Sequence, residues 1–212
     1  MSVQQQRRER ELAEQRRLIL TTARSLAETD GWAAVTTRRL ADEIEYSQPV
    51  LYKHFKGKDG IIEAVALEGF EELTDALRAA RVKTTTPDEG LVAFMRTYME
   101  FARRNPSLFD AMFNMSTGLL FAQSETPDAL RHAFAEVRNA VAPVTFDDDV
   151  QTVTETVWAA VHGLVMLDHS GRLRPSHREQ RITVLARQLL ARPAASASAA
   201  DAPEAPTAPG GT

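Results

Sequence analysis

Apolar residues recur along most of this chain at intervals of three and four positions, and no stretch alternates apolar and polar residues as a half-buried strand would. Because this spacing places the apolar side chains on one face of a helix, it predicts an all-α fold. The first helix is predicted over roughly 7–29, with Ile19, Ala23 and Leu26 on one face and Gly31 as its C-terminal stop.

Two short segments follow, and each begins after a residue suited to cap a helix. Thr36 precedes a predicted helix over 37–44, and Ser47 precedes another over 48–55 that has Pro49 in its first turn. Five apolar residues would hold this pair together from inside: Leu40, Ala41, Ile44, Leu51 and Phe55. Two short helices joined by so tight a turn are typical of a helix-turn-helix, whose second helix enters the DNA major groove.

A longer helix is predicted over 59–80, where apolar residues again share helical spacing: Ile62, Val65, Phe70, Leu73 and Leu77. Prolines then divide the chain into predicted helices of roughly 87–104, 106–121, 127–142, 148–168 and 176–192. From Pro193 onwards the chain has no large apolar residue, so we expect a disordered Ala- and Pro-rich tail over 193–212. The pattern predicts a DNA-binding domain over 1–60 and a helical domain over 61–192.

Composition and charge narrow the classes of function. The chain of 212 residues contains no cysteine, which excludes thiol catalysis, disulfides and thiolate-bound metal clusters. Its net charge is −4, yet the first 60 residues carry 11 Lys and Arg against 9 Asp and Glu, so the positive excess lies at the N-terminal end. The polar first residues lack the apolar stretch that a signal peptide needs, and the longest apolar run is too short to span a bilayer. We therefore expect a cytoplasmic protein with no membrane partner.

The start of the second short helix carries side chains that can recognise bases. Gln48 can bond adenine, Lys53 can reach guanine, and Pro49 or Val50 can meet a thymine methyl group. Tyr52, His54 and Lys58 flank the groove and could bond phosphates. The alternative interpretation of this segment is an ordinary amphipathic helix end.

This stretch resembles the DNA-binding domain of the TetR/AcrR family from the first helix through Ile62. The resemblance lies in the paired threonines at 36–37, Leu-Ala at 40–41, Ser-Gln-Pro at 47–49, Leu-Tyr-x-His-Phe at 51–55 and Lys-x-Lys at 56–58. It implies a transcriptional repressor, a homodimer on palindromic double-stranded operator DNA that a small molecule releases. The DNA contacts that the resemblance implies are Thr36, Thr37, Arg38, Ser47, Gln48, Pro49, Val50, Tyr52, Lys53, His54 and Lys58.

The turn departs from the family pattern at one position, because Glu45 stands where the family usually has glycine. A residue other than glycine is uncommon at positive φ. Either the turn geometry differs slightly or the turn stores strain.

A second resemblance lies at Trp158-Ala-Ala-Val-His162-Gly163, which is similar to the Trp-x-x-x-His-Gly (WHG) signature of one class of TetR C-terminal domains. Trp158 and His162 are four positions apart, so both rings can line one wall of a cavity. Gly163 would let a neighbouring helix approach closely.

Methionine and aromatic residues concentrate in the C-terminal domain, and we expect a small, mostly apolar effector to bind among them. The candidate ligand-binding residues are Tyr98, Phe101, Phe109, Met112, Phe113, Phe121, Trp158 and His162. The alternative is that they pack the core, with the histidine bonded inside it. The helix over 59–80 is the only element that touches both domains in this interpretation, so its pivoting would couple effector to operator.

The last two helices are the candidate dimer interface. Apolar residues line one face of each, namely Val150, Val153, Val157, Val161 and Leu164 on the first and Ile182, Leu185, Leu189 and Leu190 on the second. Both stripes are difficult to bury inside one protomer. On the family pattern, paired copies would bury them in a four-helix interface.

Five histidines raise the question of metal binding or catalysis, but no nucleophile–base or metal-ligand spacing accompanies them. We therefore predict no catalytic residue, no metal and no cofactor. Two competing hypotheses are a small helical hydrolase or metal protein and a DNA-binding protein without a ligand. The second would be favoured by a C-terminal domain without a cavity. The basic run Arg7-Arg8-Glu9-Arg10 is either a solvated face or an arm that follows DNA.

Overall fold

The structure is a computed structural model that describes residues 2–191, and within this range it contains helices, turns and irregular segments but no strand. The α-helices described there are α1 (Val3–Asp30), α2 (Thr37–Glu43), α3 (Gln48–His54), α4 (Gly57–Arg81), α5 (Pro87–Arg104), α6 (Pro106–Phe113), α7 (Asp128–Val141), α8 (Val150–His169) and α9 (Arg178–Leu190). The all-α prediction is confirmed. The predicted tail over 193–212 lies outside the described residues.

The first three α-helices form the predicted helix-turn-helix unit. Helix α1 ends at Asp30 and is followed by the C-cap residue Gly31, whose φ of 77° only glycine adopts without strain. The Thr36 hydroxyl caps α2 by accepting from the Arg39 amide at 3.1 Å. The five inward-facing residues of the sequence pattern are buried as expected: Leu40, Ala41, Ile44, Leu51 and Phe55.

Helix α4 packs against α5, α6 and α7 and continues from the helix-turn-helix into the C-terminal part. The apolar residues that were expected to share one face are buried there: Ile62, Val65, Phe70, Leu73 and Leu77. At its far end, Arg78 and Arg81 both bind the carboxylate of Glu136 on α7, with N–O distances of 3.1 and 3.0 Å. The predicted domain boundary at residue 60 therefore falls inside a continuous helix.

The helix predicted over 106–121 is wrong in its second half, because α6 ends at Phe113. The next residues, Asn-Met-Ser-Thr-Gly at 114–118, include weak helix formers, and Gly118 takes a φ of 70°. The loop after it returns Phe121 to within 6.0 Å of the Phe70 ring. The apolar pattern continues beyond the helix because Met115 and Leu119 of the loop also pack against the core.

Helix α6 also contacts α1, so α4 is not the only element that joins the two parts, as the sequence had suggested. The Trp32 indole N–H donates to the Ser107 carbonyl at 2.8 Å. Glu28 accepts from the backbone amides of Ser107 and Leu108 at 3.2 and 3.1 Å, which satisfies donors that the first turn of α6 leaves free. The C-terminal part is therefore tied to α1 by a second helix.

Helices α8 and α9 both pack on α5, and this packing divides the predicted dimer stripes. Val157, Val161 and Ile182 are buried inside the protomer, which corrects the expectation that a partner would cover them. The exposed apolar positions on these helices include Leu167 and Val184. None of the helices described over residues 2–191 combines the length and apolar character that crossing a membrane requires.

Candidate functional site

The first turn of α3 projects its polar side chains away from the core. Gln48, Pro49 and Lys53 are exposed and Val50 is half-buried, while Leu51 anchors the opposite face of the helix. Ser47 stands at the N-cap position, yet among the described residues its side chain makes no capping hydrogen bond. The N-terminal turn of α3 therefore presents unpaired donors and acceptors to solvent, as a surface that reads base edges must.

Helix α2 and the second face of α3 complete the exposed surface. Thr36 and Arg38 are exposed and Thr37 is partly buried at the start of α2. Tyr52 on α3 is 57% exposed, so its hydroxyl can reach a phosphate outside the groove. Nine of the eleven predicted DNA contacts thus lie on this surface with solvent-accessible side chains: Thr36, Thr37, Arg38, Ser47, Gln48, Pro49, Val50, Tyr52 and Lys53.

His54 and Lys58, the other two predicted contacts, already have partners inside the protein. His54 Nε2 lies 3.2 Å from Gln15 Oε1 of α1. Burial, with the positive charges of Arg16 and Lys53, lowers the pKa of His54, so the ring is neutral at pH 7 and donates its Nε2 proton to Gln15. This contact attaches the last residue of α3 to α1.

The Lys58 ammonium donates to the backbone carbonyl of Trp32 and is partly buried. This bond ties the start of α4 to the short 3-10 helix Trp32–Ala34. An ammonium has three donors, so two remain for a phosphate. Lys58 therefore has a structural partner as well as a predicted DNA contact, and a substitution there would affect both.

The turn between α2 and α3 keeps the left-handed geometry even though Glu45 occupies it. Glu45 has a φ of 56°, and the amide of Tyr46 donates to the Ala41 carbonyl at 3.0 Å, the bond that closes a Schellman C-cap. The sequence left two possibilities open, an altered turn or a strained one. The turn geometry is unaltered, so Glu45 adopts the strained left-handed conformation. The turn therefore ends α2 with the capping bonds of a helix-turn-helix, and three residues separate Ile44 from the start of α3.

A cavity of about 530 Å³ lies among α4, α5, α7, α8 and the end of α6. Its aromatic wall consists of Phe70, Tyr98, Phe113, Phe121, Phe134 and Trp158. Polar residues from the loop before α7, from α7 and from α8 line its edge: Gln123, Thr126, Arg131, Gln151 and Glu155. This volume and this mainly apolar wall suit a small molecule.

The polar atoms at the base of the cavity bind one another. The Trp158 indole N–H donates to the Tyr98 hydroxyl oxygen at 3.0 Å, and that hydroxyl lies 2.9 Å from His162 Nδ1, to which it donates. Burial raises the pKa of Tyr98 and lowers the pKa of His162, so both groups are neutral at pH 7. The bonds fix the rings of Trp158, Tyr98 and His162, and the Nε2–H of His162 is the one donor of the trio that has no partner among the described residues.

Four of the eight predicted ligand-binding residues line this cavity: Tyr98, Phe113, Phe121 and Trp158. His162 adjoins it, in a recess that it shares with Phe113 and Trp158. Phe101, Phe109 and Met112 do not line it and are buried in the core. Phe109 stacks on the far side of His162 at 5.5 Å, and Met112 fills the space beside Gly69 of α4.

Sequence reasoning missed the part of the wall that α4 and α7 provide. Phe70 and Leu73 were assigned to general helix packing, and Leu130, Phe134 and Val137 were not considered. The last three show helical spacing in the sequence, which is the signal for a buried face. Which buried face borders empty space depends on how the helices pack, and periodicity does not report that.

The expectation for Gly163 is not met within the protomer, because a Cβ atom there would meet no other group within 4 Å. The close approach occurs instead at Gly69, where a Cβ would lie 2.7 Å from Met112 Sδ and 2.8 Å from Leu108 Cδ1. Within residues 2–191, no group of three His, Cys, Asp or Glu side chains is placed to hold a metal ion.

Known proteins resemble the chain in both parts. Residues 19–65 match the family described as bacterial regulatory proteins of the tetR family, and residues 91–192 match the family described as tetracyclin repressor-like, C-terminal domain. The nucleoid occlusion factor SlmA of Actinobacillus pleuropneumoniae is 35% identical over 79 residues, which are 37% of this chain and 39% of that protein. Class C tetracycline repressor protein of Escherichia coli is 42% identical over 52 residues, 24% of each chain. The chain thus spans less than half the length of these two relatives.

Solved structures share the fold over most of the chain. A protein of unknown function from Rhodococcus sp. RHA1 has a TM-score of 0.72 at 24% identity, covering 83% of this chain and 93% of that one. A TetR/AcrR-family regulator from Thermobifida fusca has a TM-score of 0.63 at 21% identity, covering 84% and 97%. With both parts matched by family models, the chain belongs to the TetR family of transcriptional regulators, which are DNA-binding proteins and not enzymes.

Proposed function

We propose that this TetR-family protein is a repressor that binds a palindromic operator as a homodimer and is released by a small, mostly apolar effector. The observation that carries the proposal is the aromatic cavity of about 530 Å³, whose wall includes side chains of α4 and α6. Both helices also contact α1 of the helix-turn-helix unit. A molecule in the cavity would therefore press on the two helices that hold the DNA-binding unit.

The exposed surface of α2 and α3 supports the DNA half of the proposal. Gln48, Val50 and Lys53 would read base edges, since they project from the exposed end of α3. The Ser47 hydroxyl, which has no capping bond, and the Tyr52 hydroxyl would bond phosphates. Because one recognition helix reads one half-site, a two-fold dimer would require a palindromic operator.

The wall of the cavity supports an effector that binds mainly by shape and apolar contact. Trp158, Tyr98 and His162 direct their polar atoms at one another, so the base of the cavity offers few free hydrogen-bonding groups. Arg131 and Glu155 stand at the exposed edge. An effector with a flat apolar body and a polar end directed towards that edge would match this arrangement. We also propose that this bonded trio is what the Trp-x-x-x-His-Gly pattern of this domain provides.

Release of DNA would follow from unequal affinity of the effector for two arrangements of α4 and α6. An effector that prefers the arrangement unable to place two recognition helices in successive major grooves lowers operator affinity by its differential affinity, typically about 1–3 kcal/mol. Linkage requires that operator DNA weaken effector binding by the same factor. The Glu28 and Trp32 contacts with α6 make this helix a second route for the coupling, beside α4.

The free face of α8 and α9 supports the homodimer. A groove between these helices is lined by apolar residues that the protomer leaves partly uncovered, including Ala160, Leu164, Val184 and Leu185. Gly163 borders the same face with open space around it, so a second copy could approach α8 closely there. Such an interface would bury on the order of 2,000 Å² or more. We propose a DNA-binding domain over 1–60 and a ligand-sensing and dimerisation domain over 61–192. We also propose a cytoplasmic location, where the protein would meet its DNA.

The test begins with selection of DNA fragments by the purified protein, followed by a screen of small molecules for release of the selected sequence. Calorimetry of a releasing molecule with and without saturating operator then measures the coupling directly. Trp158→Ala should abolish the response to the molecule while keeping operator affinity, and Phe146→Ala, an exposed aromatic residue outside the cavity, should respond as wild type. Equal affinity of the molecule in both titrations would contradict the coupling. A screen that yields no releasing molecule would favour the second candidate, a DNA-binding regulator without a ligand, against which the cavity now stands.

A further inference from the structure

Helix α1 extends well beyond the body of the protein. Residues 2–14 are all exposed, and the first buried residue of the helix is Ile19. We call residues 3–14 the N-terminal arm. At about 1.5 Å per residue, its 12 residues project by roughly 18 Å. Because none of these residues is buried, the helix gains little stability there from packing in the free protein, so its regular form needs another explanation.

The arm joins the rest of α1 next to the C-terminal end of α3. Gln15, directly after the arm, lies 3.2 Å from His54, the last residue of α3. The next residue, Arg16, stacks over the ring of Phe55 at 4.6 Å. These contacts fix the direction of the arm relative to α3. In a complex with DNA bound by α3, the base pairs beside the α3 site would therefore lie at a constant position relative to the arm.

The charge of this part of α1 suits a polyanion, with five arginines against three glutamates over residues 3–17. One arginine is placed differently from the others. Arg8 precedes Gln15 by seven positions and so lies on the same side of the helix, the side that meets α3. Glu11, the nearest carboxylate on that side, is paired with Arg7 at 2.9 Å. Among residues 2–191, Arg8 has no ion-pair or hydrogen-bond partner.

We propose that the N-terminal arm binds the phosphate backbone of DNA that flanks each operator half-site, with Arg8 as its principal contact. The proposal rests on the DNA-binding function proposed above and adds a second surface to it. Arg8 lies seven residues, about 10 Å, beyond Gln15. This corresponds to roughly three base pairs at 3.4 Å each, so the contacted phosphates lie just outside the bases that α3 reads. The contact would add affinity without sequence preference, because phosphates carry no base information.

The experiment compares two duplexes that contain the selected operator, one ending at the operator and one extended by eight base pairs of unrelated sequence on each side. Wild-type protein should bind the extended duplex several-fold more tightly. Arg8→Gln should abolish that preference and reduce the salt slope on the extended duplex by roughly two for a dimer, one phosphate per protomer. Arg10→Gln is the matched control, because position 10 lies about 200° around the helix from position 8.

The two variants and the wild type together separate the possibilities. Loss of the preference in Arg8→Gln alone supports the proposal. If both variants prefer the extended duplex as strongly as the wild type does, the proposal is overturned. It is also overturned if Arg8→Gln and Arg10→Gln lose this preference equally, since the arm would then attract DNA only as diffuse charge. Gln48→Ala should weaken binding to both duplexes alike. Failure of the wild type to select any DNA would contradict the proposed function, whereas binding of both duplexes with equal affinity would contradict only the role of the arm.

Discussion

The recognition helix and the cavity use their polar side chains in opposite ways. At the start of α3, Gln48 and Lys53 are exposed, and the Ser47 hydroxyl makes no capping bond within the described chain. At the base of the cavity, the indole of Trp158 donates to the hydroxyl of Tyr98, which in turn donates to His162. The polar groups at the start of α3 are thus free to bond a partner, whereas most of those at the base of the cavity bond one another.

The difference follows from what each region would bind. Bases differ from one another in the donors and acceptors at their edges, so a surface that discriminates them needs free polar groups. An apolar molecule gains most of its affinity from burial, and an unpaired polar atom in the wall would cost free energy when it entered. Loss of a polar group should therefore impair DNA recognition in α3 and protein stability at the cavity.

Tyr98→Phe is the strongest test of this contrast. The hydroxyl is buried, with Tyr98 only 1% exposed, and its loss leaves the Trp158 donor and the His162 acceptor without their partner. We expect the free energy of unfolding to fall by about 2–3 kcal/mol, which would lower the thermal midpoint by about 4–12 °C in a chain of this size. Tyr46→Phe, at an exposed tyrosine, is the control and should melt as wild type. An unchanged midpoint for Tyr98→Phe would show that the bonded trio contributes nothing to stability.

Glu136→Gln extends the contrast to charged groups in the C-terminal part. Although burial raises its pKa, the hydrogen bonds from Arg81 and Arg78 outweigh it and hold the pKa of Glu136 below its ordinary value of 4.5. A depressed pKa means that the ionised carboxylate contributes stability above pH 4.5, and that this contribution disappears as pH falls through the folded-state pKa. The variant should lose about 2 kcal/mol at pH 7, from a carboxylate that is only 6% exposed.

The pH series supplies the check on that assignment. Denaturant unfolding of wild type and Glu136→Gln should give stabilities that differ at pH 7 and converge as the pH falls below 4.5 through the folded-state pKa of Glu136. Glu63→Gln, on the exposed side of α4, should follow the wild type throughout. A difference that persists at low pH would mean that the ion pairs with Arg78 and Arg81 are not its source.

Gln48→Ala tests the other side of the contrast. Because the side chain is exposed on the protein surface, its loss should change the free energy of unfolding by less than about 0.5 kcal/mol. Preference at one or two base positions should relax, at a cost of about 1–2 kcal/mol per half-site. Competition binding with single-base operator variants measures this loss, and Asn139→Ala, at an exposed residue of α7, is the control. Unaltered base preference would exclude Gln48 as a base reader.

Glu45→Gly gives the smallest expected effect and concerns the turn that orients α3. Glycine would relieve the left-handed conformation, worth about 1–2 kcal/mol, but would lose more backbone entropy on folding, so a net gain of about 0.5–1 kcal/mol is expected. Glu43→Gly, at the last residue of α2, should instead destabilise the protein, by at most about 1 kcal/mol. Destabilisation by both variants would mean that the Glu45 side chain itself contributes to the turn.

The sequence alone was sufficient for the helix-turn-helix because its signals are local. Thr36, Gly31 and Pro49 mark helix ends through backbone chemistry that involves only neighbouring residues. The spacing of Leu40, Ile44 and Leu51 then shows which side faces inward. The exposed position of Gln48 and Lys53 follows from the same periodicity, and so did their assignment as candidate contacts.

Only the tertiary structure decided which aromatic residues border the cavity, where α6 ends and how α8 divides its apolar face. Phe109 and Phe113 lie on one short helix, yet one packs behind His162 and the other faces the cavity. Periodicity reports that a residue is buried, because water is excluded from every core position alike. Whether a buried side chain meets another helix or an empty volume depends on long-range packing, and this packing is not encoded in the spacing of any one segment.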